Sequence, residues 1–189
     1  DLNRHLLAAD RVEILLTLNL PEPEFDFRGA YRFNVQVIGN SEPKGFGANH
    51  NAAFRRARGE YFGVLNPDLS LREDPIEPLL RVFRRAEVGL AAPLVVSPDG
   101  AVQDSARRFP RPLGIIAKLF RNGPKLDYRM DQGPISPDWT AGIFMLFRSS
   151  AYRLVDGFDE RYHLYYEDVD ICARLRSAVL EAGAVVENG

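Results

Sequence analysis

Apolar positions along this chain change period several times, and each change marks an element. Val12-Glu13-Ile14-Leu15-Leu16-Thr17-Leu18 is a nearly continuous apolar run, the pattern of a strand buried on both faces. Pro21 and Pro23 end it. Val35-Gln36-Val37-Ile38 predicts a second, shorter strand. Lys44-Gly45-Phe46-Gly47 predicts a turn, followed by a helix near 49–58 whose Ala52, Ala53 and Ala57 offer a small-residue face to a sheet. Gly59 suits the left-handed position after a helix end, and a strand over 60–65 follows. Asp74-Pro75 predicts a helix start, Asp as cap and Pro in the first helical position. Ile76, Leu79, Leu80 and Phe83 then fall at i, i+3, i+4, i+7, one buried stripe. Further strands are expected over 89–96 and 142–147, with a turn at Pro98-Asp99-Gly100 between them. A helix is expected over 169–178, with Val169, Cys172 and Ala173 on one side and Ile171 and Leu175 on another.

Residues 103–137 break the rhythm. They carry Arg107, Arg108, Arg111, Lys118, Arg121 and Lys125 among Pro110, Pro112, Pro124, Pro134 and Pro137. The pattern predicts a long irregular segment with one short helix near 115–120. Loops of this length in a small domain are usually functional or disordered. Strands alternating with helices predict an α/β fold, a mostly parallel sheet flanked by helices, in one domain across 1–189. Such sheets bind ligands beyond the carboxyl ends of their strands, and Asn66-Pro67-Asp68 sits at such an end. The opening residues 1–7 read as an amphipathic helix where an α/β chain usually has a strand. The expectation is a domain incomplete at both termini, with its first strand missing.

Composition narrows the classes. A chain of 189 residues, 46% hydrophobic and 26% charged, is long enough and apolar enough for a globular core. A net charge of -2 argues against nucleic acid as the partner, since such binders carry a basic excess. Cys172 is the only cysteine, so no internal disulfide or thiolate metal cluster can form. No run of 18 apolar residues is present to span a bilayer.

Two stretches carry the candidate chemistry. In the first, Tyr162, Tyr165 and Tyr166 lead into Glu167, Asp168 and Asp170 at a predicted loop–helix junction. Acids in a first helical turn are favoured by the macrodipole alone. Three so close repel one another, and with aromatics ahead of them they suit general-base chemistry on a polar substrate. In the second, Asn66-Pro67-Asp68 follows a predicted buried strand. A carboxylate there can hold a hard cation that bridges phosphates, although Asn, Pro and Asp also make ordinary turns. Gly45 and Gly47 before a helix could let backbone amides approach a phosphate, but the third glycine of a dinucleotide fingerprint is absent. The arginines of 107–121 suit either an anionic acceptor or a solvated loop face.

Taken together, these segments resemble family-two inverting glycosyltransferases, particularly bacterial rhamnosyltransferase-like members. The likeness is carried by Gly45-Phe46-Gly47-Ala48-Asn49 with Asn51 and Ala52, by Ala57-Arg58-Gly59-Glu60-Tyr61 leading to Leu65-Asn66-Pro67-Asp68, by 142–148, and by Gly157-Phe158-Asp159-Glu160 leading to Tyr165-Tyr166-Glu167-Asp168-Val169-Asp170. It implies the GT-A fold and inverting transfer of a sugar, rhamnose among the candidates, from a UDP- or dTDP-linked donor to a glycan or lipid-linked acceptor. Asp68 matches the last acid of the family's metal motif, so Mg²⁺ or Mn²⁺ is the implied cofactor. Asp168 matches the catalytic base and Glu167 its partner. Asn19, Gly45, Asn49, Asn66 and Asp68 are the donor-side candidates; Trp139, Gly142 and Tyr166 are the acceptor-side ones. The implied location is cytoplasmic, with peripheral attachment to the inner face of the cell membrane as an option. The chain departs from the family pattern where Asn66 replaces the first acid of the metal motif and Leu18 replaces the usual base-binding acid. The late histidine that often follows the acid cluster is absent too. A nucleotidyltransferase on a related sheet and a non-catalytic sugar-binding domain are the rival readings.

Overall fold

Phe144-Met145-Leu146-Phe147 is the most apolar run of the main sheet, and the strand it builds lies at the sheet's interior. The computed structural model describes residues 2–6, 9–21, 31–110, 126–129, 133–178 and, in their backbone, 181–186. In chain order the elements are α1 (Leu2–His5), a 3-10 turn at Ala9–Arg11, β1 (Glu13–Leu18), β2 (Asn34–Gly39), α2 (Phe46–Phe54), β3 (Tyr61–Leu65), α3 (Ile76–Val82), β4 (Val88–Pro93), β5 (Ala106–Arg107), β6 (Trp139–Thr140), β7 (Phe144–Arg148), α4 (Ser149–Leu154), α5 (Glu167–Ser177) and β8 (Glu181–Val186).

The main sheet has the order β3-β7-β4-β8. Strand β7 is antiparallel to both β3 and β4, and β8 is parallel to β4. Three strands thus share one direction and β7 opposes them. The expected mostly parallel sheet is corrected at 142–147. Antiparallel neighbours need no crossover helix between them, and β7 enters the sheet through a tight turn at Ala141–Ile143. Strands β1 and β2 pair in parallel as a separate two-stranded unit, Glu13 opposite Asn34 and Leu18 opposite Gly39. All six residues of β1 are half-buried, not buried on both faces as the apolar run suggested. Its only strand partner among the described residues is β2.

Period-two alternation sorts the core into two layers. Phe62 and Val64 of β3 and Met145 and Phe147 of β7 face Tyr152 of α4 and Ile171, Cys172 and Leu175 of α5. Phe144 and Leu146 face the other way, onto Leu79, Val82 and Phe83. A strand apolar at every position therefore serves helices on both faces. The predicted α3 stripe buries Leu79 and Phe83, with Ile76 and Leu80 at its edge. The start lies one residue later than expected: Pro75 is the cap and Ile76 the first helical residue, and Asp74 Oδ1 still accepts from Ile76 N–H at 2.8 Å.

Some boundaries moved. Helix α2 begins at Phe46 and ends at Phe54, before Ala57. Gly59 is not in the left-handed region; a Cβ there would lie 2.7 Å from the Tyr61 carbonyl, so the glycine serves a close backbone approach. The last helix, expected from 169, starts two residues earlier at Glu167, so all three acids lie in its first turn. The helix predicted near 115–120 falls outside the described residues.

Candidate functional site

The turn between β6 and β7 ties together two segments far apart in sequence. Gly142 N–H donates to Asp168 Oδ2 at 3.2 Å. One residue on, the Ile143 carbonyl accepts from Asn66 N–H at 3.0 Å. The turn itself is fixed by Ala141 N–H to Ser105 O and Ile143 N–H to Ala141 O, both 2.8 Å. The N-terminus of α5 and the carboxyl end of β3 are therefore anchored on adjacent peptides. Asp68 is exposed on the turn that Asn66 opens, two residues further on. Gly142 does not owe its place to a missing side chain. A Cβ there would meet Phe46 Cζ at 3.5 Å and Asp168 Cβ at 3.8 Å, ordinary contacts. What it contributes is its N–H.

The three acids of α5 have three different surroundings. Asp168 is half-buried, and its second oxygen, Oδ1, accepts from Val169 N–H at 2.8 Å. Each carboxylate oxygen can accept a further bond. Glu167 is buried, and its Oε2 has no hydrogen-bond partner. Burial pushes its carboxyl above the usual range, against its own backbone N–H, and the charge of Asp168 adds to the rise. Asp170 pairs with Arg174 one turn on, at 2.6 Å, so its charge is spoken for within the helix.

The loop ahead of α5 also reaches the start of α2. The His163 carbonyl accepts from Phe46 N–H at 3.2 Å. A Cβ on Gly45 would lie 2.7 Å from that carbonyl, so here the glycine is required by close backbone contact. Tyr165 and Tyr166 follow, both at left-handed φ, 70° and 71°, and both largely exposed at 73% and 65%.

Amide side chains gather at the carboxyl ends of β1 and β2. Asn19 brackets the Lys44 backbone, accepting from its N–H at 2.8 Å and donating to its carbonyl at 3.1 Å. Asn40 donates to Asn19 Oδ1 at 3.0 Å and to Asn49 Oδ1 at 2.7 Å. Asn49 donates to the Lys44 carbonyl at 3.3 Å. The predicted donor-side residues Asn19, Gly45 and Asn49 are thus brought together. Asn40 was not foreseen, although its place at the end of a strand, like that of Asn19, was a usable signal.

Asn51 was seen in the sequence as part of the resemblance but not as a structural hub. Its Nδ2 donates to Phe158 O at 2.8 Å and to Glu160 Oε1 at 3.1 Å. Its Oδ1 accepts from Tyr152 OH at 2.7 Å and from Phe158 N–H at 3.0 Å. A polar residue among the apolar positions of α2 was the available clue. Beside it, burial lowers the His50 imidazole to about 4, and its ring lies 4.4 Å from that of Phe46. A cavity of about 540 Å³ opens against Asn51, Arg55 and Arg174 and is lined by none of the candidate residues.

Trp139 ends up half-buried, its indole N–H donating to the Arg108 carbonyl at 3.0 Å and its ring under the Arg107 guanidinium. The arginines of that segment described here thus meet the chain near Gly142. Among the described residues no group of three or more His, Cys, Asp or Glu could hold a metal ion. A hard cation shared with a diphosphate asks less, one or two carboxylates with phosphate oxygens and water completing the shell. An exposed Asp68 meets that demand. No helix among the described residues is long and apolar enough to cross a membrane.

The sequence profile of the family described as glycosyl transferase family 2 matches residues 19–154. N-acetylglucosaminyl-diphospho-decaprenol L-rhamnosyltransferase of Mycobacterium tuberculosis is 36% identical over 125 residues, 61% of this chain and 41% of that protein. Rhamnosyltransferase WbbL of Escherichia coli is 30% identical over 145 residues, 71% of this chain and 55% of that protein. The chain thus spans about half, or less, of the length of these relatives. The crystal structure of GalNAc-T7 with UDP, GalNAc and Mn²⁺ superposes with a TM-score of 0.71 at 12% identity, over 99% of this chain and 39% of that one. The α/β fold is GT-A-like.

Proposed function

The chain belongs to glycosyl transferase family 2, and from that premise we propose that it is the catalytic domain of an inverting, metal-dependent transferase. Its donor would be a UDP- or dTDP-linked sugar, with rhamnose from dTDP-rhamnose favoured. Its acceptor would be a glycan or lipid-linked sugar used in polysaccharide or cell-envelope synthesis. The observation that carries this reading is the shared anchor at Gly142–Ile143, which binds the Asp168 carboxylate and the Asn66 backbone. The two rhamnosyltransferase relatives support the sugar, and the diphospho-decaprenol acceptor of one of them supports a lipid-linked partner. A lipid-linked acceptor would place the protein at the cytoplasmic face of the membrane.

In this mechanism Asp168 takes the proton of an acceptor hydroxyl as that oxygen attacks the anomeric carbon of the donor. The bond from that carbon to the diphosphate breaks on the opposite face, so the configuration inverts. Gly142 N–H holds one oxygen of Asp168, fixing the carboxylate while each oxygen keeps a lone pair for the incoming hydroxyl. Asp68 would hold Mg²⁺ or Mn²⁺, a choice supported by the Mn²⁺ in GalNAc-T7. The cation, when bound, offsets the charge of the leaving diphosphate. Asn19 and Asn49, bonded to the Lys44 backbone beside Gly45, would shape the donor-side loop, and Asn66 would serve the donor from the end of β3.

The test is a transfer assay on the full-length protein, paired with thermal shift against dTDP-rhamnose, UDP and UDP-sugars, with and without Mn²⁺. A ligand at a hundred times its Kd raises native stability by about 2.7 kcal/mol. Stabilisation by one nucleotide sugar and inversion at its anomeric carbon support the reading. Binding without any transfer would favour a sugar-binding domain, and no stabilisation by any nucleotide would overturn the proposal.

A further inference from the structure

Two adjacent tyrosines just before the proposed base are held in a conformation that large side chains avoid. Tyr165 and Tyr166 have φ of 70° and 71°. A residue with a Cβ is strained in the left-handed region, and such strain persists where the surroundings enforce it. Here the surroundings are the His163 carbonyl on the start of α2 and the Asp170 N–H on the Tyr166 carbonyl at 2.9 Å. The consequence is that both rings project into solvent. Among the described residues, neither makes a hydrogen bond or a ring contact.

We propose that Tyr165 and Tyr166 form a stacking platform for the acceptor's pyranose ring, the ring whose hydroxyl Asp168 deprotonates. The inference rests on the transferase reading above and names the chemistry of its acceptor side. A pyranose offers an apolar C–H face and a rim of hydroxyls. The segment offers the matching pair, two exposed aromatic rings and, two and three residues on, a half-buried carboxylate with free lone pairs. A membrane surface would use the rings but would gain nothing from the carboxylate, and an anionic one would be repelled by it. A sugar uses both. The backbone twist is then the device that turns the rings outward while α5 keeps Asp168 on Gly142.

The experiment uses the full-length enzyme, the donor nucleotide sugar that stabilises it, and N-acetylglucosaminyl diphosphate on a short alkyl tail as acceptor probe. Tyr165→Ala and Tyr166→Ala should each raise the acceptor KM on the order of tenfold, the size of a lost aromatic contact. Donor affinity by calorimetry should not change. Tyr→Phe at either position should keep the low KM, since stacking needs the ring and not the hydroxyl. Tyr166→Gly adds a readout that a purely structural role would not give. It removes the left-handed penalty, so Tm should rise or hold while acceptor KM climbs. An unchanged acceptor KM overturns the platform. So does a loss of binding to phosphatidylglycerol vesicles at constant KM, which would assign the rings to the membrane. Donor binding by the parent with no transfer to the probe also overturns it. A parent that binds no nucleotide sugar overturns the transferase reading itself, which is a different result.

Discussion

Gly142 donates its backbone N–H to the Asp168 carboxylate at 3.2 Å, across 26 positions of sequence. That bond joins the entry of strand β7 to the first turn of helix α5. It also selects one acid out of three. Glu167 is buried with an unpaired oxygen, and Asp170 is paired with Arg174. Asp168, half-buried like Asp170, is the one whose carboxylate is held by backbone N–H groups and not by a cation, and it stays open to a further bond.

The first prediction follows from that selection. Asp168→Asn keeps size and shape but removes the proton acceptor, so kcat of the full-length enzyme should fall by about 10²–10⁴-fold. Donor affinity should change little. Asp170→Asn breaks only an i,i+4 ion pair, typically about 0.3–0.5 kcal/mol, and should leave kcat close to the parent's. A near-normal kcat in Asp168→Asn with a dead Glu167→Gln would move the base by one residue.

Asp68 supports a second prediction. It is exposed on the Asn66–Leu69 turn and lies outside the buried core, so Asp68→Ala should cost no more than the roughly 0.5 kcal/mol of stability expected of a surface change. The Mn²⁺-dependent part of nucleotide binding should vanish, while any metal-free part stays. Calorimetry of UDP and dTDP with Mn²⁺ and with EDTA reads both. Equal affinity in mutant and parent under Mn²⁺ would leave Asp68 as a turn former.

His50 makes stability depend on pH. Burial takes its imidazole from 6.5 to about 4. Between these values the unfolded chain binds the proton and the native one does not, so stability rises with pH across that window. The contribution is fully present above about 6.5 and is lost as pH falls toward 4. The whole loss is about 3 kcal/mol, an order-of-magnitude figure. His50→Phe keeps a ring against Phe46 and Phe158 without the titration. Its denaturant midpoint should therefore fall less than the parent's between pH 7 and pH 5. Parallel curves would show that His50 takes up its proton equally in the folded and unfolded states, and would overturn the burial effect.

The sequence carried the parts of this architecture that depend on local pattern. Strands β1 to β4 and β7 were visible as apolar runs, and α3 as an i, i+3, i+4, i+7 stripe. The direction of β7 was not, because a strand apolar on both faces reads the same whichever way it runs. The candidate residues were legible as types in order: an acid after β3, an acid cluster after tyrosines. Their meeting point was not, because it is made by the backbone of Gly142 and Ile143, and a peptide N–H or carbonyl leaves no mark in a sequence. Asn40 and Asn51 went unassigned for a related reason. An amide in a strand end or on a helix face has many uses, and only its partners say which one applies.

Asn51 gives the last prediction. Its side chain makes four hydrogen bonds, to Phe158 N–H and O, to Glu160 and to Tyr152 OH. These hold the turn that leads to the 161–166 loop and so to α5. Asn51→Ala leaves the buried Tyr152 hydroxyl and the Phe158 N–H without partners. The expected cost is about 3–5 kcal/mol, from lost bonds plus unsatisfied buried groups. Gly157→Ala attacks the same clamp from the other side. Gly157 sits at φ 65°, and a Cβ there would lie 2.3 Å from Asn51 Oδ1 and 2.8 Å from Tyr152 Cε1. Alone it should destabilise through both the left-handed backbone and the collision. With Asn51 already cut to Ala, the oxygen is gone and only the backbone and Tyr152 contributions remain. The double variant should therefore be more stable than the sum of the two single losses, by about 0.5–3 kcal/mol, the range for residues in contact. Urea melts of the four proteins close the cycle. Strict additivity would mean that Gly157 and Asn51 do not act on one clamp, and that the 158–166 segment is held in place by something other than this amide.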